Sequence, residues 1–171
     1  MSTVVPLDAS DSGIVSRASG ATPVSPPSEA SSVPCGGAVL YRLPRHDDDR
    51  GTIVVGEAPS HLPFRPERVF LVRNVPVDNL RGDHAHRRCH QLIIATAGSV
   101  VVVVDDGVRR RSVRLDSPDL MLHVPPMVWS IQRDFDVDAQ VLVMASEPYD
   151  RSEYVTDYDE FLRLVGRRAP G

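Results

Sequence analysis

Short apolar or alternating runs recur along this chain, and turn-forming residues separate them. Runs of this length, bounded by Gly, Pro, Asp and Asn, are typical of β-strands. Because they follow one another closely, they indicate an antiparallel sandwich or barrel. The predicted strands lie at 38–41, 52–55, 68–72, 91–96, 99–104, 110–115, 120–124 and 139–145.

The residues between the runs support this interpretation. Gly98 separates two predicted strands, and the sequence 105–107, Asp-Asp-Gly, has the composition of a tight hairpin turn. The run 100–104 is valine throughout, which predicts a strand that faces core on both sides. Proline cannot donate to a strand ladder, so the strand at 120–124 should end or bend at Pro125-Pro126.

One helix is predicted near the C-terminus. Tyr158, Phe161, Leu162 and Val165 follow helical spacing, Asp157 can cap the first turn, and Gly166 can end the helix. The fold class is therefore all-β with a single short helix.

Composition divides the chain into three parts. Residues 1–36 are mostly Ser, Ala, Pro, Gly and Thr, which bury too little apolar surface to offset the entropy of ordering, so we expect a flexible extension. One domain is expected at 37–166, followed by a tail at 167–171.

Charge and cysteine content exclude several functions. The formal net charge is -4 and the arginines are interspersed with acidic residues, which argues against nucleic acid as a partner. Only two cysteines occur, so no disulfide framework is expected and a reducing cytoplasm fits best. The chain lacks a signal-peptide pattern, and the valine run is too short to span a bilayer, so no membrane association is expected.

The strongest candidates for catalytic residues are His84 and His86 in the sequence Arg-Gly-Asp-His-Ala-His (81–86). Residues two apart in a strand point to the same side, so the two imidazoles should lie together, either in a site or as ordinary structural histidines. The spacing matches the first half of a cupin metal motif. However, Gln91 stands at the carboxylate position, and an amide is a poor substitute for a carboxylate ligand.

Metal binding is further disfavoured because the Pro-rich turn, which should bring another histidine, reads Ser130 after Trp129. His90 or His123 could substitute only from less suitable positions. We therefore expect no metal and no cofactor. A neutral imidazole can instead take a proton from one atom and return it to another, as isomerisation of a keto-sugar requires.

At this point a family resemblance appears. From about Asp48 to Phe161 the chain resembles the sugar 3,4-ketoisomerases that act on TDP-4-keto-6-deoxy-D-glucose. The matching positions are Asp49-Arg50-Gly51, Arg68-Val69-Phe70, 81–86, Gln91, Gly98-Ser99, 105–107, 115–118, Trp129, Asp134-Phe135, Ala145-Ser146, Tyr149-Asp150 and 154–161.

The resemblance implies a metal-independent cupin-type antiparallel β-barrel (jelly roll) and a homodimer with strand exchange. It implies a reaction that moves the sugar carbonyl from C4 to C3. Carried to this sequence, His84 corresponds to the base that removes the C3 proton and His86 to its partner in proton transfer. Arg50 and Arg81 correspond to ligands of the diphosphate or sugar oxygens, and Gln91 to a polar wall of the pocket.

Trp129 either stacks on the thymine or sugar of such a substrate or packs in the protein. Three departures from the family pattern stand out: Ser130-Ile131 replace His-Glu, Phe70-Leu71 replace a tyrosine pair, and His123 replaces a tyrosine. They leave two alternatives open. One is a non-catalytic, nucleotide-sugar-binding or auxiliary cupin subunit, and the other is a metal-dependent cupin.

Overall fold

The computed structural model describes residues 29–166, so the expectations for 1–28 and 167–171 lie outside the described residues. Strands dominate this region. The elements in chain order are β1 (Glu29–Ser32), β2 (Val39–Arg42), β3 (Arg45–Asp48), β4 (Gly51–Val54), β5 (Arg68–Arg73), β6 (Arg81–His86), β7 (Gln91–Ala97), β8 (Val100–Asp105), β9 (Arg110–Leu115), β10 (Leu120–Val124), β11 (Trp129–Arg133), β12 (Gln140–Ala145), a 3-10 turn (Arg151–Glu153), β13 (Tyr154–Val155) and α1 (Tyr158–Leu164).

The strands form three antiparallel sheets. The six-stranded sheet has the order β1-β2-β10-β7-β12-β5, the five-stranded sheet the order β13-β6-β11-β8-β9, and β3 pairs with β4 in a separate hairpin. Most neighbours in a sheet are distant in sequence, as in a jelly roll. The predicted cupin-type all-β barrel with one short C-terminal helix is confirmed.

The main core lies between the two large sheets. Strand β8 runs through it: Val102 to Asp105 are all buried and Val101 is half-buried, which confirms the strand predicted to face core on both sides. Alternating side chains from both sheets meet there. They include Ile93, Leu122, Val141 and Val143 from the six-stranded sheet and Val100, Val102, Val104 and Leu115 from the five-stranded sheet.

Each large sheet is also covered on its outer face. Leu43 and Leu62 pack on Leu92, Ile94 and Met121 of the six-stranded sheet. Helix α1 covers the five-stranded sheet by burying its apolar side chains against that sheet; this cluster contains Ala85, Trp129, Val155, Phe161 and Leu162.

The helix begins and ends where the sequence predicts. The Asp157 side chain accepts the backbone N–H of Glu160 at 2.6 Å, and Gly166 follows the last turn with φ of 74°. Within residues 29–166 no helix is long and apolar enough to cross a membrane.

The barrel begins earlier than the composition indicates. Residues 29–36 were assigned to the flexible extension, yet β1 pairs with β2 and the side chains of Val33 and Cys35 are buried. Gly36 has φ of 57°, and a Cβ there would lie 2.5 Å from Cγ2 of Val128. The sequence of β1, Glu-Ala-Ser-Ser, has no apolar alternation from which a strand could be predicted. The strand forms through its backbone pairing with β2.

Candidate active site

The histidine segment is shaped by a β-bulge in β6. Ser130 of β11 pairs with His84 and Ile131 pairs with Gly82, so Asp83 is the extra residue. Gly82 and Asp83 both adopt left-handed conformations, with φ of 79° and 61°. A Cβ on Gly82 would lie only 2.8 Å from the backbone oxygen of Ser130, so glycine is required there.

Beyond the bulge, His84 and His86 point into the barrel while Ala85 between them packs under α1. Their Nε2 atoms are 3.2 Å apart, and their rings meet edge to face at 4.8 Å. Across the barrel, the amide nitrogen of Gln91 lies 3.1 Å from Nε2 of His86. The structure thus brings together the three residues that the sequence analysis grouped, from β6 in one sheet and β7 in the other.

Tyr154 completes this cluster. It pairs with His86 across β13 and β6, and its ring contacts His84 at 4.8 Å and His86 at 4.5 Å. In the sequence, Tyr154 stood out only as part of the matching segment 154–161. It lies three residues before the cap of α1, on a two-residue strand that is too short for any periodicity to reveal.

The surroundings keep both imidazoles neutral near pH 7. Burial is the main cause that lowers the pKa of His84, and a hydrogen bond with the backbone of Gly82 partly opposes it. Burial, the neighbouring His84 and the charge of Arg68 lower the pKa of His86 from 6.5 to about 4. Nδ1 of His86 is buried without a hydrogen-bond partner in the described chain. A neutral ring of this kind can act as a base.

The cluster faces a cavity of about 380 Å³ between the edge strand β5 and strands β6 and β11. His84, Gln91 and Arg81 line it, as expected. Two further polar residues on its wall, Arg73 and Gln132, were not predicted, because strands remote in sequence bring them there. The full lining is Phe70, Leu71, Val72, Arg73, Arg81, Gly82, His84, Gln91, Ser130 and Gln132.

Two of the expected substrate contacts lie elsewhere in the chain. Arg50 is on the β3–β4 hairpin with its side chain 83% exposed, and it forms an ion pair with Asp48 at 2.5 Å. Trp129 is 3% exposed and packs on Tyr158 and Phe161, which corresponds to the packing alternative rather than to stacking on a ligand. Neither lines the cavity.

Only some of the departures from the family pattern lie at the cavity. Ser130 lines the cavity, but Ile131 packs on the opposite face of the sheet, so only one of these two replacements changes the cavity wall. His123 is also outside it: its Nε2 lies 2.9 Å from Nδ1 of His90, and the two rings stack.

The ligand types around the pair bear on metal binding. Within residues 29–166, no group of three or more His, Cys, Asp or Glu is placed to share a metal ion. The third group at His84 and His86 is the amide of Gln91, which is a weak ligand for the metals that imidazoles bind.

A cupin-type barrel that holds two neutral imidazoles in contact, with His84 on the cavity wall, has the groups of an acid–base enzyme. Comparison with known proteins identifies the class of enzyme. The family model described as "FdtA: WxcM-like, C-terminal" matches residues 37–166. The chain therefore belongs to the FdtA family.

Individual relatives agree with this assignment. A TDP-4-oxo-6-deoxy-alpha-D-glucose-3,4-oxoisomerase from Aneurinibacillus thermoaerophilus is 35% identical over 120 residues, covering 70% of this chain and 86% of the relative. A 3,4-ketoisomerase from Helicobacter canadensis superposes with a TM-score of 0.73 at 33% identity, covering 75% of this chain and 97% of the other.

A third relative was solved with a bound sugar nucleotide. It is a histidine-to-asparagine variant of the 3,4-ketoisomerase QdtA from Thermoanaerobacterium thermosaccharolyticum, in complex with TDP-4-keto-6-deoxyglucose. It superposes with a TM-score of 0.73 at 29% identity, covering 75% of this chain and 93% of the other. These findings confirm the predicted family and its enzyme class.

Proposed function

We propose that this protein moves the carbonyl of TDP-4-keto-6-deoxy-D-glucose from C4 to C3, as a step in deoxyamino-sugar biosynthesis. The observation that carries the proposal is the contact of the buried His86 with His84, which lines the cavity. Supporting it are relatives whose names specify a TDP-linked 4-keto-6-deoxy sugar and a 3,4-isomerisation.

The reaction redistributes protons without any external oxidant or reductant. His84 removes the proton on C3, the electron pair of that bond forms the C3–C4 double bond, and the C4 oxygen takes up a proton to give an enediol. The O3 proton then leaves, C3 becomes the carbonyl carbon, and a proton is added to C4. C3 loses one hydrogen and C4 gains one, so the atoms and electrons balance whether or not the abstracted proton exchanges with solvent.

The histidine pair suits the two proton transfers. His84 is half-buried and lines the cavity, so it takes the role of base toward C3. His86 lies behind it and is 5% exposed, so it acts through the 3.2 Å contact with His84. Gln91 holds His86 in place and forms the polar wall. Amide and guanidinium groups on the wall can stabilise the enediol oxygen.

The nucleotide end of the substrate is anionic and needs cations. Arg73 at the end of β5 and Arg81 at the start of β6 both line the cavity. Neither forms an ion pair with another described residue. Forked guanidinium groups match diphosphate oxygens. We assign the diphosphate to Arg73 and Arg81, whereas Arg50 does not line the cavity of the single chain.

The assembly is proposed to be a homodimer. Its support is the edge strand β5, where Val69 and Leu71 are 59% and 56% exposed. An exposed apolar edge strand favours pairing with another chain. Strand exchange would involve β1, at the opposite edge of the same sheet. The two buried, unpaired cysteines fit the reducing cytoplasm.

NMR of the nucleotide sugar incubated with protein in deuterated buffer tests the reaction. We expect the C4 carbonyl signal to be replaced by a C3 carbonyl signal, with deuterium at C4 of the product. His84→Asn should abolish turnover, and His86→Asn should lower it at least about 100-fold. His46→Asn, at an exposed histidine on β3, is the matched control and should behave as wild type.

Other results would indicate the alternatives. If the wild-type protein binds TDP and turns nothing over, while an active relative works in the same assay, the protein is a non-catalytic binding subunit. If chelation abolishes turnover and one equivalent of metal restores it, the metal-independent reaction is wrong.

A further inference from the structure

Gln132 of β11 is a buried amide on the wall of the cavity that the proposed mechanism does not use. The residue is 5% exposed, it lines the same cavity as His84, and its Oε1 atom has no hydrogen-bond partner in the described chain. A buried carbonyl oxygen without a donor is costly, and native proteins retain few of them. The position therefore needs an explanation.

Neither cross-strand neighbour donates to Oε1 of this amide in the described chain. Gln132 pairs with Val102 of β8, which is fully buried and apolar, and with Arg81 of β6, which is exposed and lines the cavity. Ser130, two residues along the same face of β11, pairs with His84. The side on which a donor can approach Gln132 is thus the cavity itself.

The chemistry of the cavity limits what this donor can be. Arg73 and Arg81 line the same space, so a cationic donor would be repelled. Phosphate and keto oxygens have no hydrogen to donate. A carbonyl oxygen in this setting accepts from a neutral hydroxyl group, such as those on a hexose ring.

The position along β11 indicates which hydroxyl. Residues two apart on a strand are separated by about 6.5–7 Å, so Gln132 lies about one sugar ring away from Ser130, the residue opposite His84. With C3 held at His84, the neighbouring C2 hydroxyl is a donor within reach of the Gln132 side chain. We propose that Gln132 accepts a hydrogen bond from the C2 hydroxyl and makes the enzyme selective against 2-deoxy sugars. This inference rests on the proposed function, since it assumes that C3 faces His84.

Kinetics with two substrates test the proposal. The wild-type full chain should prefer TDP-4-keto-6-deoxyglucose over its 2-deoxy analogue by about 10- to 100-fold in kcat/KM, because the analogue leaves the buried oxygen unpaired. Gln132→Met retains the shape of the side chain without its amide. The ratio of kcat/KM for the two substrates should therefore fall toward one, mainly through a higher KM for the hydroxylated substrate. Gln140→Met, at an exposed glutamine on β12, is the control and should keep the wild-type preference.

Thermal unfolding separates recognition from packing. Removing an unpaired buried acceptor should leave the Tm of the free Gln132→Met variant unchanged or raise it. If the variant keeps the wild-type preference, or loses activity equally on both substrates while its Tm falls, Gln132 is a packing residue and the proposal is wrong.

Calorimetry distinguishes failure of the role proposed for Gln132 from failure of the proposed function. TDP-glucose and TDP-2-deoxyglucose bind without reacting, so their ratio of dissociation constants reports hydroxyl recognition even for a protein that shows no turnover. A wild-type ratio near one overturns the role of Gln132, whatever the result of the turnover assay.

Discussion

The indole N–H of Trp129 donates to Oδ1 of Asp83 at 3.1 Å, and this bond ties the β-bulge before His84 to the core under α1. Trp129 therefore affects the active site without lining it. The bond fixes the extra residue of the bulge, and the bulge directs His84 into the cavity. Positioning of the proposed base, His84, thus depends on a side chain on the other face of the sheet.

Variants at this bond should lower activity more than stability. Trp129→Phe keeps the ring packing and Asp83→Ala removes the acceptor, so each should cost about 1 kcal/mol of stability and reduce kcat/KM about 10-fold. The double variant should be no worse than either single variant, because both remove the same bond. Asp83→Asn retains an acceptor and should remain close to wild type. Steady-state kinetics and urea unfolding check these values, and additive losses would contradict the link.

Gly82→Ala should damage both the fold and the site. Alanine at φ of 79° is strained, and its Cβ would also meet the backbone oxygen of Ser130. We expect a loss of at least about 2 kcal/mol and of most activity. Gly166→Ala is the matched control, since φ is 74° and a Cβ there meets nothing within 4 Å. Urea unfolding should show a smaller loss, of about 1 kcal/mol, in this control. Equal losses would show that the close approach to Ser130 is unimportant.

Arg68 should contribute to the position of the acid limb of the pH–rate profile. Its charge is among the causes that lower the pKa of His84 and His86, after burial. The base is active when neutral, so kcat/KM should fall only below about pH 6.5, as the rings become protonated. Arg68→Met removes the positive charge, so the pKa of both histidines should rise and the acid limb should move to higher pH.

The control for this shift is Arg163→Met, at an exposed arginine on α1. Its profile should superimpose on that of the wild type. Titration of the imidazole resonances by NMR provides an independent readout, and unchanged histidine pKa values in Arg68→Met would contradict the electrostatic role.

Acid should destabilise the protein through its second histidine pair as well. Burial lowers the pKa of His123 from 6.5 to about 4, and His90 adds to the effect. The unfolded chain then binds a proton near pH 6.5 that the folded chain binds only near pH 4. The stabilisation is complete above pH 6.5 and is lost as the pH falls toward 4, by up to about 1.4 kcal/mol per pH unit.

His123→Tyr removes this titration while keeping an aromatic ring beside His90. Urea unfolding at pH 7 and pH 5 should therefore show a smaller loss of stability in the variant than in the wild type. His46→Asn, at an exposed site, should lose as much as the wild type. If His123→Tyr loses as much too, the pair does not contribute to acid sensitivity.

Much of the barrel could be predicted from the sequence, because its central strands are apolar and are separated by residues such as Gly98 and 105–107. Strand β11 escaped prediction because Ser130 and Gln132 face the cavity, so its inward side is polar where alternation requires apolar residues. Strand β3 is exposed along its length and has no buried side to detect.

Only part of the site could be predicted from the sequence as well. His84, His86 and Gln91 could be grouped because they lie close in sequence on two consecutive strands. Arg73, Gln132 and Tyr154 could not, since their proximity depends on the order of strands in the sheets and on the bulge in β6. Sequence spacing could not predict that Arg73 lines the cavity and Arg50 does not.

The hydrogen bond between His86 and Gln91 connects the five-stranded sheet to the six-stranded sheet. Its length depends on the distance between the sheets, which buried valines such as Val102 and Val143 determine. The contact between His86 and Gln91 therefore depends on valines that never touch the cavity, and a lost methyl group deep in the barrel should slow the proposed proton transfer before it unfolds the protein.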